Sequence, residues 1–175
     1  ALYLEVVDNA GHKFGPDSPG TGAAVKEADN ALARLLAGLD KLGRRDQTDL
    51  VIVSDHGLST QSPDQVILLD DLMDLTQVRV ESLGPNGGVS PLHGSAAALA
   101  AAIRAKAPPH LHVYLRDEVP ARFHYRDNPR IPAVVLDCDE HWSIDVRASF
   151  ARYADHFDRG NHGWDPALPS MGALF

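Results

Sequence analysis

The sequence predicts an α/β fold built on a parallel sheet, and three segments near its start carry that expectation. Residues 2–7 (Leu-Tyr-Leu-Glu-Val-Val) read as a short strand that runs into a loop rich in Gly and Asn, from Asp8 to Pro16. From Ala23 to Leu42 the residues Val25, Ala28, Leu32, Leu35, Leu36, Leu39 and Leu42 recur at three-and-four spacing, which predicts a helix ended by Gly43. Asp49-Leu-Val-Ile-Val-Ser54 is a continuous β-branched run bounded by polar residues, the pattern of a buried strand. Strand, long helix and buried strand make a βαβ unit. Functional residues in such sheets gather past the carboxyl ends of the strands, so Asp8 and Asp55 are expected to face one crevice.

The remaining elements are shorter. Gln65–Leu69 and Val78–Ser82 read as strands, and Gly84-Pro-Asn-Gly-Gly88 as a turn. Gly94 to Lys106 is an Ala-rich helix ended by Pro108-Pro109. Leu111–Leu115 and Ile131–Leu136 read as strands, and the tail from Asp158 to Pro169 as loop. The 175 residues are one segment without repeat, linker or low-complexity stretch.

Composition narrows the function. A net charge of −8 argues against a nucleic-acid duplex as partner, because phosphate neutralisation needs clustered Lys and Arg. The one cysteine, Cys138, rules out an internal disulfide and a thiolate zinc cluster, and its apolar surroundings in sequence read as a buried structural thiol. No run is long and apolar enough to span a bilayer. The chain opens on Ala1 without an initiating Met, so it reads as a segment of something longer.

Three pieces place Asp and His beside glycine: Asp8-Asn-Ala-Gly-His12, Ser54-Asp55-His56-Gly57 and Gly160-Asn-His162-Gly163. Carboxylate oxygen and imidazole nitrogen suit zinc and related divalent ions. Each piece also has a plain reading. Asp8-Asn9 suits a surface turn, Asp55 suits a cap, and His162 suits an exposed loop. Asp55-His56 stands best by itself, because an apolar strand ending in two ionisable groups needs a compensating charge. His110 and His112 alternate along a strand, a weaker candidate pair, and no pattern in sequence supports His124, His141 or His156.

In this order the pieces resemble the nucleotide pyrophosphatase/phosphodiesterase family of the alkaline phosphatase superfamily, in the C-terminal portion of its catalytic domain. The resemblance runs through Tyr3-Leu-Glu5-Val-Val-Asp8-Asn-Ala-Gly11-His12-Lys-Phe-Gly15-Pro16 and Val51-Ile-Val-Ser54-Asp55-His56-Gly57-Leu58. It continues in His141-Trp142-Ser143-Ile144 and in Gly160-Asn-His162-Gly163-Trp164-Asp165 through Met171-Gly-Ala-Leu-Phe175. It implies an alkaline-phosphatase-like α/β fold, mostly parallel in its sheet with helices on both faces, here incomplete at the N-terminus. It further implies a two-zinc hydrolase of phosphodiester or pyrophosphate bonds acting on a small phosphodiester or nucleotide. By motif position Asp8, His12 and His162 hold one zinc, and Asp55 and His56 help hold the other.

The family's nucleophile and first zinc aspartate precede the Tyr3 motif, so the resemblance implies a segment inactive by itself. Self-association, or pairing with the missing N-terminal part, is an accompanying expectation. So is a periplasmic or extracellular setting. Val7 stands where the family has proline. Ser59, Thr60 and Ser62 read as capping or loop residues. Two alternatives stay open on sequence: a phosphomonoesterase or sulfatase-like sibling, and a non-catalytic α/β interaction domain.

Overall fold

The computed structural model describes residues 1–175. In chain order the helices are α1 (Val6–Phe14), α2 (Pro19–Lys41), α3 (Leu69–Leu72), α4 (Ala96–Arg104) and α5 (Arg147–Phe150). The strands are β1 (Ser59–Thr60), β2 (Val66–Leu68), β3 (Val78–Ser82), β4 (Asn86–Pro91), β5 (Leu111–Leu115), β6 (Val134–Cys138), β7 (Ser143–Asp145) and β8 (Gly160–Asn161). The fold is α/β. The strands within the chain are arranged differently from the expected parallel sheet. β3, β4, β6 and β5 form a four-stranded antiparallel sheet in that order, and only β2 with β7 is a parallel pair.

The antiparallel sheet has two unlike faces, as period-two alternation requires. One face carries Val89, Val134, Leu136, Cys138, Leu111 and Val113 into the main core, which α4 closes with Ala100 and Ile103. The other carries Val135 and Tyr114 to a smaller cluster with Val119, Ile131 and Phe123. Ser95 caps α4 by accepting the Ala98 N–H at 3.2 Å, which fixes where that helix starts.

Cys138 is 3% exposed on the core face, and burial pushes its thiol up to about 12. Such a thiol is inert. A thiol-specific reagent at pH 8 should leave it unmodified in the folded chain and react fully once denaturant unfolds it.

The start of the chain departs from the expected βαβ unit. Residues 1–5 form no strand, and the expected loop from Asp8 is the helix α1. Gly11, a loop signal in sequence, is a packing residue: a Cβ there would stand 2.5 Å from Leu58 Cδ2. Gly15 ends α1 at φ +88, the left-handed region glycine tolerates. The long helix forms as expected but starts earlier, at Pro19, because Ser18 accepts the Thr21 N–H at 3.1 Å.

Asp49–Ser54 is the largest departure. It joins no helix or sheet, and Val51, Ile52 and Val53 are 73%, 50% and 59% exposed. Its one backbone tie at the end is Ser54 N–H to Leu174 O at 3.0 Å. The side-chain pattern is that of a buried strand, but these 175 residues supply no strand beside it. Val25 and Leu35 on the apolar stripe of α2 are exposed as well. The expected turn at Gly84–Gly88 is shorter: Gly84 bridges to Ile144, and Asn86 already opens β4.

Candidate metal centre

Helix geometry brings Asp8 and His12 together, since residues four apart share a face. Their atoms Oδ1 and Nε2 lie 3.5 Å apart. His162 arrives on the far side through β8, which pairs antiparallel with β1: Ser59 faces Asn161 and Thr60 faces Gly160. The same ladder fixes His56, three residues before β1. The backbone stitches the pieces further, with Arg159 N–H donating to His12 O at 2.7 Å and Gly57 N–H to Met171 O at 3.1 Å.

The ligand atoms of Asp8, His12 and His162 all lie within 4.8 Å of one another. His162 Nε2 is 3.9 Å from Asp8 Oδ1. His56 stacks on His162 with ring centroids 3.5 Å apart, and His12 meets His162 edge-on at 5.1 Å. Asp55 Oδ1 lies 3.6 Å from His56 Nε2, and its side chain is 72% exposed. The structure therefore brings Asp8, His12 and His162 into one group. His56 flanks it, and Asp55 stands at the rim.

Three features fit this group to a cation. Asp8 Oδ1 is buried with no hydrogen-bond partner, an expensive state for a carboxylate oxygen unless a positive charge meets it. His12 Nδ1 lies 2.8 Å from Gly160 O and His56 Nδ1 lies 2.9 Å from Gly57 O. Donation from Nδ1–H to those carbonyls leaves each Nε2 lone pair free toward the cluster. The pKa of His162 is lowered, first by burial and then by the His56 and His12 imidazoles, with Asp8 and Asp55 opposing. A neutral imidazole is the form that ligates.

The other candidates lie elsewhere. His110 and His112 both meet Asp139, at 3.0 and 2.8 Å, a carboxylate bridging two partly exposed rings. Ser62 caps a short turn by accepting from Asp64 N–H. Ser59 and Thr60 are engaged with His141, whose Nδ1 lies 2.8 Å from Thr60 O. His141 sits at φ +74 and ties β1 to the segment before β7, a role no local pattern in sequence announced.

Beyond His162 the chain borders an open cleft of about 330 Å³ on the second face of the antiparallel sheet. Tyr114 and Asp137 lie on its floor, and Phe123 and Tyr125 on its wall. Burial pushes the Asp137 carboxyl up to about 6, with His112 and Arg122 opposing the rise. A carboxyl raised in the folded state contributes full relative stability below its ordinary value near 3.8 and loses it as pH rises through about 6. Asp137→Asn should therefore be more stable than the parent in urea at pH 8, with the difference vanishing near pH 4.

The type I phosphodiesterase / nucleotide pyrophosphatase family model matches residues 1–165. Human ectonucleotide pyrophosphatase/phosphodiesterase family member 5 is 34% identical over 174 residues, covering 99% of this chain and 35% of the relative. Bovine bis(5'-adenosyl)-triphosphatase is also 34% identical, covering 97% of this chain and 36% of the relative. The solved structure of murine ectonucleotide pyrophosphatase/phosphodiesterase 5 superposes with a TM-score of 0.86 at 34% identity, over 95% of this chain and 43% of that one. An inactive form of the murine protein in complex with AMP gives 0.85 at 33% identity, with the same coverage. The chain thus spans about a third of the length of these curated relatives. With that family model matching residues 1–165, the chain belongs to the type I phosphodiesterase / nucleotide pyrophosphatase family.

Proposed function

We propose that these residues form the C-terminal metal-binding part of a zinc-dependent phosphodiesterase that cleaves phosphodiester or pyrophosphate bonds of nucleotides. Asp8, His12 and His162 hold one zinc, and His56 with Asp55 contributes to the second. The observation that carries this reading is the unpartnered, buried Asp8 Oδ1 facing two imidazoles. Bound zinc supplies Lewis-acid stabilisation of charge developing on phosphoryl oxygens. The chain's own part is to hold that charge in place. Gly160 O and Gly57 O orient the imidazoles of His12 and His56, and burial followed by the neighbouring His56 and His12 lowers the His162 pKa toward the neutral, ligating form.

The 175 residues alone are inactive on this reading, because Ser59, Thr60 and Ser62 are engaged in structure rather than aimed at the cluster. Leu50–Val53 carries the side-chain pattern of a buried strand but is exposed and joins no sheet, so on this reading the active unit pairs this chain with further polypeptide of the family's domain, in a periplasmic or extracellular setting. Zinc titration by calorimetry with elemental analysis tests the metal reading. About one tightly held ion per chain is expected, lost in His162→Ala. A chain that stays metal-free at saturating zinc overturns it.

A further inference from the structure

A ligand is only as well placed as the backbone that carries it, and His162 stands one residue past the end of β8. The two-residue ladder with β1 stops before it. The side chain of the preceding residue holds it instead: the His162 N–H donates to Asn161 Oδ1 at 2.9 Å. An N–H needs an acceptor, so this bond fixes which end of the Asn161 amide is oxygen. The Nδ2 end then faces Gln61 and donates to its Oε1 at 3.1 Å. Asn161 and Gln61 are half-buried, and neither belongs to the Asp8, His12 and His162 group.

Gln61 is itself held. Its N–H donates to Arg159 O at 3.1 Å, and the Arg159 N–H donates to His12 O at 2.7 Å. The bonds make one run from the His12 backbone through Arg159, Gln61 and Asn161 to the His162 backbone. Its two ends are two members of the same cluster, whose rings meet edge-on at 5.1 Å. Capping a local turn is the plainer role for an asparagine, and Ser62 does that for Asp64 N–H. The Asn161 amide differs, because both of its ends are used and its partner Gln61 lies 100 residues away in sequence.

We propose that Asn161 and Gln61 are positioning residues of the metal centre. Asn161 sets the His162 backbone, Gln61 sets Asn161, and the His162 imidazole is held against those of His12 and His56 before an ion arrives. The purpose of this clasp rests on the metal reading above, and its geometry rests on the hydrogen bonds alone. A ligand ordered by the fold loses little freedom on binding, so the clasp is read out as affinity.

The experiment reads the ligands first without metal. Histidine ring signals are followed by NMR in chelator at pH 8. The His56 and His162 rings, 3.5 Å apart, shield one another, and that shielding is the signature. Asn161→Ala and Gln61→Ala should each lose most of it, while amide signals of the antiparallel sheet keep their parental positions and show an intact fold. Gln61→Glu keeps an acceptor oxygen at the same reach and should retain the shielding. Zinc titration follows. Each alanine variant should bind ~10-fold or more weakly, and Gln61→Glu should bind like the parent. The two side chains act in series, so Asn161→Ala combined with Gln61→Ala should bind as weakly as Asn161→Ala alone. Parental shielding in Asn161→Ala overturns the proposal, as does loss of shielding in Gln61→Glu. Zinc affinity that survives the loss of shielding, or losses that multiply in the double variant, overturn it too. A parent that binds no zinc overturns the metal reading instead, and the shielding in chelator still decides whether Asn161 and Gln61 position His162.

Discussion

Asp8→Asn is expected to weaken zinc binding by on the order of 100-fold or more while leaving the metal-free chain as stable as before, or more so. The two effects have one source. Asp8 Oδ1 is buried and unpartnered, and only a cation makes that arrangement favourable. The amide removes the charge, so its burial costs less without metal and gives less with it. Its side chain also keeps the volume of the carboxylate, which isolates charge from packing. Urea unfolding in chelator and then in excess zinc measures both halves. Zinc should raise the midpoint of the parent strongly, because a ligand that binds only the folded state stabilises it by mass action, and should barely move that of the variant. A variant that binds zinc as tightly as the parent would remove Asp8 from the ligand set. A large loss of stability in chelator would instead assign Asp8 a structural role.

The legibility of this molecule in sequence follows how local each signal is. β2, β3 and β5 form within a residue or so of their apolar runs, and α2 ends at Gly43 as its pattern predicts, with Gly43 at φ +62. Those signals depend on the element itself: a capping serine, a left-handed glycine, an alternation of side chains. Leu50–Val53 carries an equally clear signal but joins no sheet, because a strand is completed by its neighbours. Burial of such a run is a property of the surrounding polypeptide, and nothing in Leu-Val-Ile-Val states whether a neighbour is at hand.

The site shows the same division. Asp8 and His12 were visible as a pair, but Gly11 between them was misleading. It reads as a loop former, yet it serves as the flat spot where α1 meets Leu58 and β8. With the helix formed, the four-residue spacing places the two groups on one face. The convergence of His162 with them is long-range and depends on the β1–β8 ladder, which is only two residues long on each side. Ladders that short leave almost no periodic trace. The cleft residues Tyr114, Phe123, Tyr125 and Asp137 were invisible as a group for a related reason. Register across β5 and β6, together with the Arg122–Asp165 pair, assembles them from strand and loop residues that no single periodicity links.

Gly57→Ala is expected to destabilise the chain by about 3 kcal/mol or more, although it adds a single methyl group. A Cβ at residue 57 would stand 2.0 Å from Ser170 O and 3.0 Å from Gly172 O. Both obstacles are backbone, so no side-chain rotation relieves them. The closing segment must move, and with it the Gly57 N–H bond to Met171 O. The disturbance reaches the metal cluster, because Gly57 O orients the His56 ring and that ring stacks on His162. Zinc affinity should therefore fall together with stability. Gly38 provides the opposite case. It lies inside α2 with nothing within 4 Å of a built Cβ, so alanine there meets no neighbour and removes only backbone freedom from the unfolded chain. Gly38→Ala should stabilise by about 0.5–1 kcal/mol and leave zinc binding unchanged. Urea midpoints and zinc affinities of the two variants check both signs. Equal effects at the two positions would mean that the closing segment is not packed on Gly57, and the route by which residues 169–172 hold His56 against His162 would fail with it.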